Sequence, residues 1–184
     1  MASLTEQKAE ARKQAFARRK EAHARSIDAT DQLVEAILEL PGDVVAGYWP
    51  IRTEIDPRAA LAKISEHRQI VLPVVDGDGL PLSFRFWKPD AVMIDGAFGA
   101  AIPANEAGAE PEVLIVPLAA FDDKGYRLGY GGGFYDRTLE KLRSRRKTLA
   151  VGFAYQAQMT SDLPIEQTDQ PLDLMVTEVG TIRF

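Results

Sequence analysis

The run Arg127-Leu128-Gly129-Tyr130-Gly131-Gly132-Gly133-Phe134-Tyr135-Asp136-Arg137 places four glycines within five residues, then two aromatics, a carboxylate and a guanidinium. A buried strand pattern, Val113-Leu114-Ile115-Val116-Pro117, lies a short loop upstream, and a helical pattern follows from about residue 133. Strand, glycine loop and helix start form an order suited to phosphate. The first helical N–H groups have no backbone partner, and the helix dipole favours an anion there. Glycine lets the backbone approach a ligand closely and adopt positive φ. Asp136, one turn into that helix, could hold Mg²⁺ against the phosphate. The same acid could equally serve the helix dipole alone, worth about 0.3–1 kcal/mol.

The loop is not a Walker loop, because no Gly-Lys-Ser/Thr follows it. It is not a dinucleotide fingerprint either, because G-x-G-x-x-G from Gly129 needs glycine where Phe134 stands. A plain left-handed turn needs only one or two glycines, so phosphate binding is the expected use. Asp169 and Asp173 lie just before a tail strand, and loop carboxylates are usually only solvated. If that strand neighbours the glycine loop, one of them is available as a second metal ligand. His23 and His67 sit in charged helical contexts with no partner at metal or triad spacing, and read as surface residues. No serine-centred nucleophile elbow is present. Chemistry here is therefore expected to rest on positioning and charge neutralisation rather than on a protein nucleophile.

Elements must carry these groups, and the pattern supplies them. Ser3 with Glu6 makes a capping-box start, leading to a helix that runs to about Arg25. A second helix runs from about Thr30 to a stop at Pro41-Gly42. Val44 to Trp49 reads as a buried strand. Asp56-Pro57 reads as cap and first residue of a helix reaching Glu66. Ile70 to Val75 is the next strand, Asp76 to Gly79 a turn, and Leu82 to Trp87 a strand with one wet face. Residues 88–111 read as a long loop with at most short elements. After the glycine loop come a helix over about 133–146, a strand over 148–155, and short tail strands at 174–177 and 181–184. Strands alternating with helices predict a largely parallel α/β sheet, with ligands beyond the carboxyl ends of its strands.

Composition bounds the rest. The 184 residues suit a single domain over residues 1–184, with no repeat and no dividing linker. The net charge of −5 gives no case for nucleic acid or an anionic membrane. The absence of cysteine removes disulfides and thiolate chemistry, and fits a cytoplasmic, reducing setting. The start, Met1-Ala2-Ser3-Leu4, leads into a charged helix rather than an apolar signal segment. Basic residues gather at 8–25 and 137–147; most are expected on solvated helix faces, with one or two turned towards a polyanion.

From Phe121-Asp122 through Gly125-Tyr126-Arg127 to Arg137, the chain closely resembles the signature of the 5-formyltetrahydrofolate cyclo-ligase (5,10-methenyltetrahydrofolate synthetase) family. Lys8 with Arg12, Tyr48-Trp49-Pro50 with Glu54-Ile55-Asp56, and Asp169, Asp173 and Val176-Thr177-Glu178 fall in the family's order. The resemblance implies a three-layer α/β/α sandwich of the sugar-isomerase and CoA-transferase type. It implies ATP-dependent conversion of 5-formyltetrahydrofolate to 5,10-methenyltetrahydrofolate, with ADP, phosphate and Mg²⁺, in a monomer or weak homodimer. Position by position, it implies that Arg127, Leu128, Gly129, Tyr130, Gly131, Gly132, Gly133, Phe134 and Tyr135 wrap the ATP phosphates. Lys8 and Arg12 would add cations, and Asp136 and Asp169 would bind Mg²⁺. Glu54 would hydrogen-bond the folate, with Trp49 packed on it. Tyr135 would lie near the formyl group, and it and Arg127 would act in catalysis.

Three departures stand out. Gly132 occupies a place where some relatives have lysine, so cationic help must come from Arg127, Lys8, Arg12 or Arg137. Ile102 replaces an expected glutamate before Pro103, and Phe134 replaces a common tyrosine. Two rival readings stand beside the cyclo-ligase: a sugar-phosphate isomerase on the same fold, and a non-catalytic folate- or nucleotide-binding regulatory protein.

Overall fold

The structure is a computed structural model describing residues 3–184; Met1 and Ala2, and the reading of the chain start that rests on them, lie outside it. Helix α1 spans Leu4–His23, opened by the expected capping box: Ser3 Oγ accepts from the Glu6 N–H while the Glu6 side chain accepts from the Ser3 N–H. Its buried residues are Lys8, Ala15, Arg19 and Ala22, one per turn or two, so the inward face carries cations and alanines instead of leucines.

The remaining elements follow the predicted alternation. In order they are α2 (Thr30–Leu38), β1 (Val44–Ala46), α3 (Arg58–Ile64), β2 (Gln69–Val74), β3 (Ser83–Trp87), β4 (Met93–Asp95), β5 (Ala101–Pro103) and β6 (Val113–Val116). Then come β7 (Ala120–Phe121), β8 (Arg127–Leu128), α4 (Phe134–Arg143), β9 (Leu149–Phe153), β10 (Leu174–Thr177) and β11 (Gly180–Arg183). Seven strands form one sheet in the order β11-β10-β9-β6-β1-β2-β3. The five inner strands are parallel, and β3 and β11 close the edges antiparallel.

Both sheet faces are covered, which explains the unbroken apolar text of β6. Val113 and Ile115 pack with Leu33, Ile37, Leu61 and Ile64 of α2 and α3. Leu114 and Val116, pointing the other way, pack with Leu139 and Leu142 of α4. The result is the expected three-layer α/β/α sandwich.

Three local differences from the sequence reading bear on the site. Strand β1 stops at Ala46 instead of Trp49, because the chain turns into a loop closed on itself. Tyr48 Oη donates to the Ile55 carbonyl at 2.6 Å, and the Glu54 carboxylate accepts from the Ile51 N–H at 2.8 Å. The segment between β6 and the glycine loop is not plain loop: β7 and β8 form a small antiparallel hairpin, turned by Asp122, whose Oδ1 accepts from the N–H groups of Lys124 and Tyr126. Residues 88–111 contain the β4–β5 hairpin, with Met93 opposite Pro103. The start of α3 is shifted by one residue from the expected one: Pro57 is its cap rather than its first residue, no side chain caps it, and Asp56 accepts from the Arg58 N–H at 2.9 Å from one position further out.

Candidate functional site

The glycine loop leaves β8 at Leu128 and enters α4 at Phe134. Gly131 has φ +103° and Gly133 +67°, conformations that L side chains rarely adopt, and Gly133 is the helix cap. No side chain caps α4, so its first N–H groups face outwards as an anion site would require. The loop is held from outside by arginines. Arg12 Nε donates to the Gly129 carbonyl at 2.8 Å, and Arg137 Nη2 donates to the Gly132 carbonyl at 2.7 Å.

Cations and carboxylates alternate around this loop. The buried Arg127 guanidinium gives two hydrogen bonds of 3.0 Å to Asp136 Oδ1, which also accepts from the Gln170 N–H at 2.9 Å. Lys8 Nζ lies 2.9 Å from Asp169 Oδ2 and 2.7 Å from Glu166 Oε1. Burial pulls the Lys8 ammonium down, but its pairs with Glu166 and Asp169 outweigh that and hold it above its ordinary value. The tail segment 166–170 therefore meets the start of α4 and the first helix beside the glycine loop. Asp136 and Asp169 already hold cations from within the chain.

Across from the loop, beyond β1, lies Glu54, 4% exposed. Burial raises its carboxyl above the ordinary glutamate value, while the Ile51 N–H, Arg19, Tyr130 and Arg52 pull it back down. Tyr135 stands where both Glu54 and Arg127 act on it. Its phenol is held well above its ordinary value by burial first, then by the Glu54 charge, with Arg127 opposing. Trp49 is half-buried at the start of the same loop, under the Arg58 guanidinium at 4.9 Å from its ring centre. Its ring packs against the core cluster on the α2 and α3 side of the sheet. Trp49 is thus tied to Arg58 and the core.

Arg19 is the residue that the sequence reading misses. In sequence it belongs to the solvated basic face of α1, yet it is 1% exposed. Its Nε donates to Thr53 Oγ1 at 3.0 Å, its Nη2 to Tyr130 Oη at 2.6 Å, and its Nη1 lies 4.0 Å from Glu54 Oε1. The available signal is spacing: Lys8, Arg12, Ala15, Arg19 and Ala22 fall on one helical face, and the alanines mark it as the packed one. Both histidines are exposed, as read from sequence. A groove of about 630 Å³ on another side of α1 is bordered by Glu6, Glu10, Asp122 and Asp162 against one cation, Lys124, a mainly acidic rim unsuited to phosphate.

A parallel α/β sandwich with a glycine loop and helix start at the carboxyl ends of its strands, ringed by lysine and arginine, defines a phosphate-handling enzyme fold. Comparison with known proteins sharpens that class. The chain matches the model of the 5-formyltetrahydrofolate cyclo-ligase family over residues 4–178. It is 33% identical over 166 residues to a 5-formyltetrahydrofolate cyclo-ligase of Haemophilus influenzae, covering 84% of this chain and 86% of that one. An Escherichia coli relative of the same name is 53% identical over 66 residues, 36% of each chain. The solved structure of Aquifex aeolicus 5,10-methenyltetrahydrofolate synthetase superposes with a TM-score of 0.76 at 32% identity, covering 96% of this chain and 92% of that one. The chain belongs to the 5-formyltetrahydrofolate cyclo-ligase family.

Proposed function

We propose that this protein closes 5-formyltetrahydrofolate to 5,10-methenyltetrahydrofolate at the expense of ATP, with residues 1–184 working as one catalytic domain in the cytoplasm. The observation that carries the reading is the pairing of two unlike places, both within reach of the buried Arg19 guanidinium. On one side is an uncapped helix start behind a glycine loop, with Lys8, Arg12 and Arg127 around it. On the other is a desolvated carboxylate, Glu54.

The chemistry needs both. A formamide oxygen is a poor leaving group. Its attack on the γ-phosphorus of ATP forms an O–P bond as the bond to ADP breaks. N10 then attacks the former formyl carbon, the ring closes, the C–O bond to phosphate breaks, and the N10 proton leaves to the departing phosphate or to water. Charge gathers on the moving phosphoryl oxygens, so positioning and cations do most of the work. The loop N–H groups from Gly129 to Tyr135 cradle the phosphates, and Arg127, Lys8 and Arg12 neutralise them. Glu54 accepts N–H donors of the pterin, Trp49 packs against the ring, and Tyr135 orients the formyl oxygen.

Magnesium fits the two acids. Among the described residues, the three hydrogen bonds to the Asp136 carboxylate fall on Oδ1 and the two to the Asp169 carboxylate fall on Oδ2. Each therefore keeps one oxygen for a metal, and Mg²⁺ commonly takes one or two carboxylates and leaves its other positions to phosphate and water. When bound there, it would supply charge neutralisation to the triphosphate beside Asp136 and Asp169.

The test is the methenyl absorbance band. Purified protein with 5-formyltetrahydrofolate, Mg²⁺ and ATP is expected to develop the band, and the same mixture without ATP is expected to stay flat. An ATP-independent rise, or no rise in the full mixture, would overturn the reading.

A further inference from the structure

Arg19 takes no part in that chemistry, yet it is the largest fully buried side chain of the molecule. Burying a guanidinium is costly unless every donor finds a partner. Here the partners come from both halves of the site. Thr53, beside Glu54, takes Nε, and Tyr130, inside the glycine loop, takes Nη2. Nη1 faces the Leu118 carbonyl at 3.5 Å and Glu54 Oε1 at 4.0 Å. The guanidinium also lies 5.0 Å from the ring centre of Phe16 and 5.3 Å from that of Tyr130, whose rings are themselves 5.2 Å apart.

Tyr130 is thus a loop residue anchored outside its loop. It is 37% exposed, but its hydroxyl end is fixed on Arg19. Because Arg19 fills an acceptor position on that oxygen, the phenol keeps its own proton to donate, and the same guanidinium stands 4.0 Å from Glu54 Oε1. A ligand that fixes the Glu54 carboxylate therefore also fixes Tyr130 and, through one peptide unit on either side, Gly129 and Gly131. Ordering the loop before phosphate arrives removes part of the entropy that phosphate binding would otherwise have to overcome.

We propose that Arg19 is a positioning residue that couples the two ligand places, so that a pterin donor on Glu54 tightens the hold of the glycine loop on a nucleoside triphosphate, and the reverse. The inference rests on the cyclo-ligase reading for what occupies each place. Linkage requires the effect to be equal in both directions.

The test is calorimetric. The Kd of a non-hydrolysable ATP analogue with Mg²⁺ is measured with and without saturating 5-formyltetrahydrofolate, and the ratio of the two values is compared across variants. In the unaltered protein, folate is expected to tighten the analogue about fivefold or more, the lower end of typical allosteric coupling. Tyr130→Phe keeps the ring and removes the hydroxyl, and Arg19→Lys keeps the charge and removes the fork. In both, the ratio is expected to fall to about one to two, from the same principle of reciprocal coupling. A structural defect shared by both measurements cancels in the ratio. A ratio near one in the unaltered protein, or a ratio preserved in Tyr130→Phe, would overturn the coupling while leaving turnover, and with it the cyclo-ligase reading, standing. Failure of the unaltered protein to bind folate would overturn both.

Discussion

The two sides of the site are built on opposite electrostatic plans. Around the glycine loop, charge is neutralised before any ligand arrives: Arg127 rests on Asp136, and Lys8 rests on Asp169 and Glu166. On the other side Glu54 is left desolvated, with the Arg19 guanidinium 4.0 Å away and already committed to other partners. A triphosphate entering the first region competes with carboxylates for cations, so it gains less than the raw charges suggest, but the cations are already in place when it arrives. A donor entering the second region meets a desolvated carboxylate and gains a charge-assisted bond. On the proposed reading, one side is preorganised for catalysis and the other is primed for recognition.

Removing the most buried cation of the loop side should break the first plan. Arg127→Met is expected to lower kcat by about 10²–10³-fold, the usual cost of losing one preorganised group facing developing charge. Steady-state kinetics with both substrates saturating checks this; a fall confined to the folate KM would move Arg127 to the recognition side.

The second plan is probed by Glu54→Gln. Losing charge-assisted hydrogen bonds of about 1.5–3 kcal/mol should weaken folate about 10- to 100-fold, measured by direct titration, with the ATP analogue much less affected. The pH dependence carries a definite sign. Burial raises the folded-state value of Glu54 above the 4.5 of a free glutamate. The protonated form is thus favoured by folding, and its contribution to stability is present below the unfolded value and lost as pH rises through the folded one. Thermal midpoints recorded across that window should fall less with rising pH in Glu54→Gln than in the unaltered protein. An unchanged slope would mean that Glu54 is not the buried acid responsible.

A smaller effect is expected at Lys8. Lys8→Ala removes one of several cations and frees Asp169 and Glu166, so the KM for ATP should rise about tenfold, equivalent to about 1.4 kcal/mol, with the folate KM little altered. Kinetics at varied ATP decides it. An ATP KM equal to that of the unaltered protein would show that the Lys8 pairs are architectural only.

Local features were legible in the sequence and convergent ones were not. The glycine loop, the α4 start, the capping box and the buried strand β6 announce themselves within a few residues, because turn chemistry, capping and apolar periodicity are short-range signals. The β7–β8 hairpin has two-residue strands, too short to show any period, and the β4–β5 hairpin hides in text rich in alanine, glycine and proline. Arg19 shows the limit most clearly. A lone arginine in a basic helix reads as solvated, and what buries it is the meeting of Thr53, Leu118 and Tyr130, the last of them 111 positions along the chain. Family resemblance could carry Glu54 and Asp169 to the site, but neither has a local sequence signal of its own.

The long reach of α1 has a consequence for how the molecule is made. Its contacts to Tyr130, Gly129 and Asp169 span 111, 117 and 161 residues. At ribosomal speeds of about 5–20 residues per second, Lys8 waits on the order of 10–30 s for its partner to be synthesised. An amphipathic helix with a leucine face would spend that interval offering an adhesive surface to other nascent chains. A helix whose inward face is Lys8, Ala15, Arg19 and Ala22 can spend it dissolved in water. A composition of cations and alanines on the packed face thus lets this helix be made long before the segments it meets and still dock late.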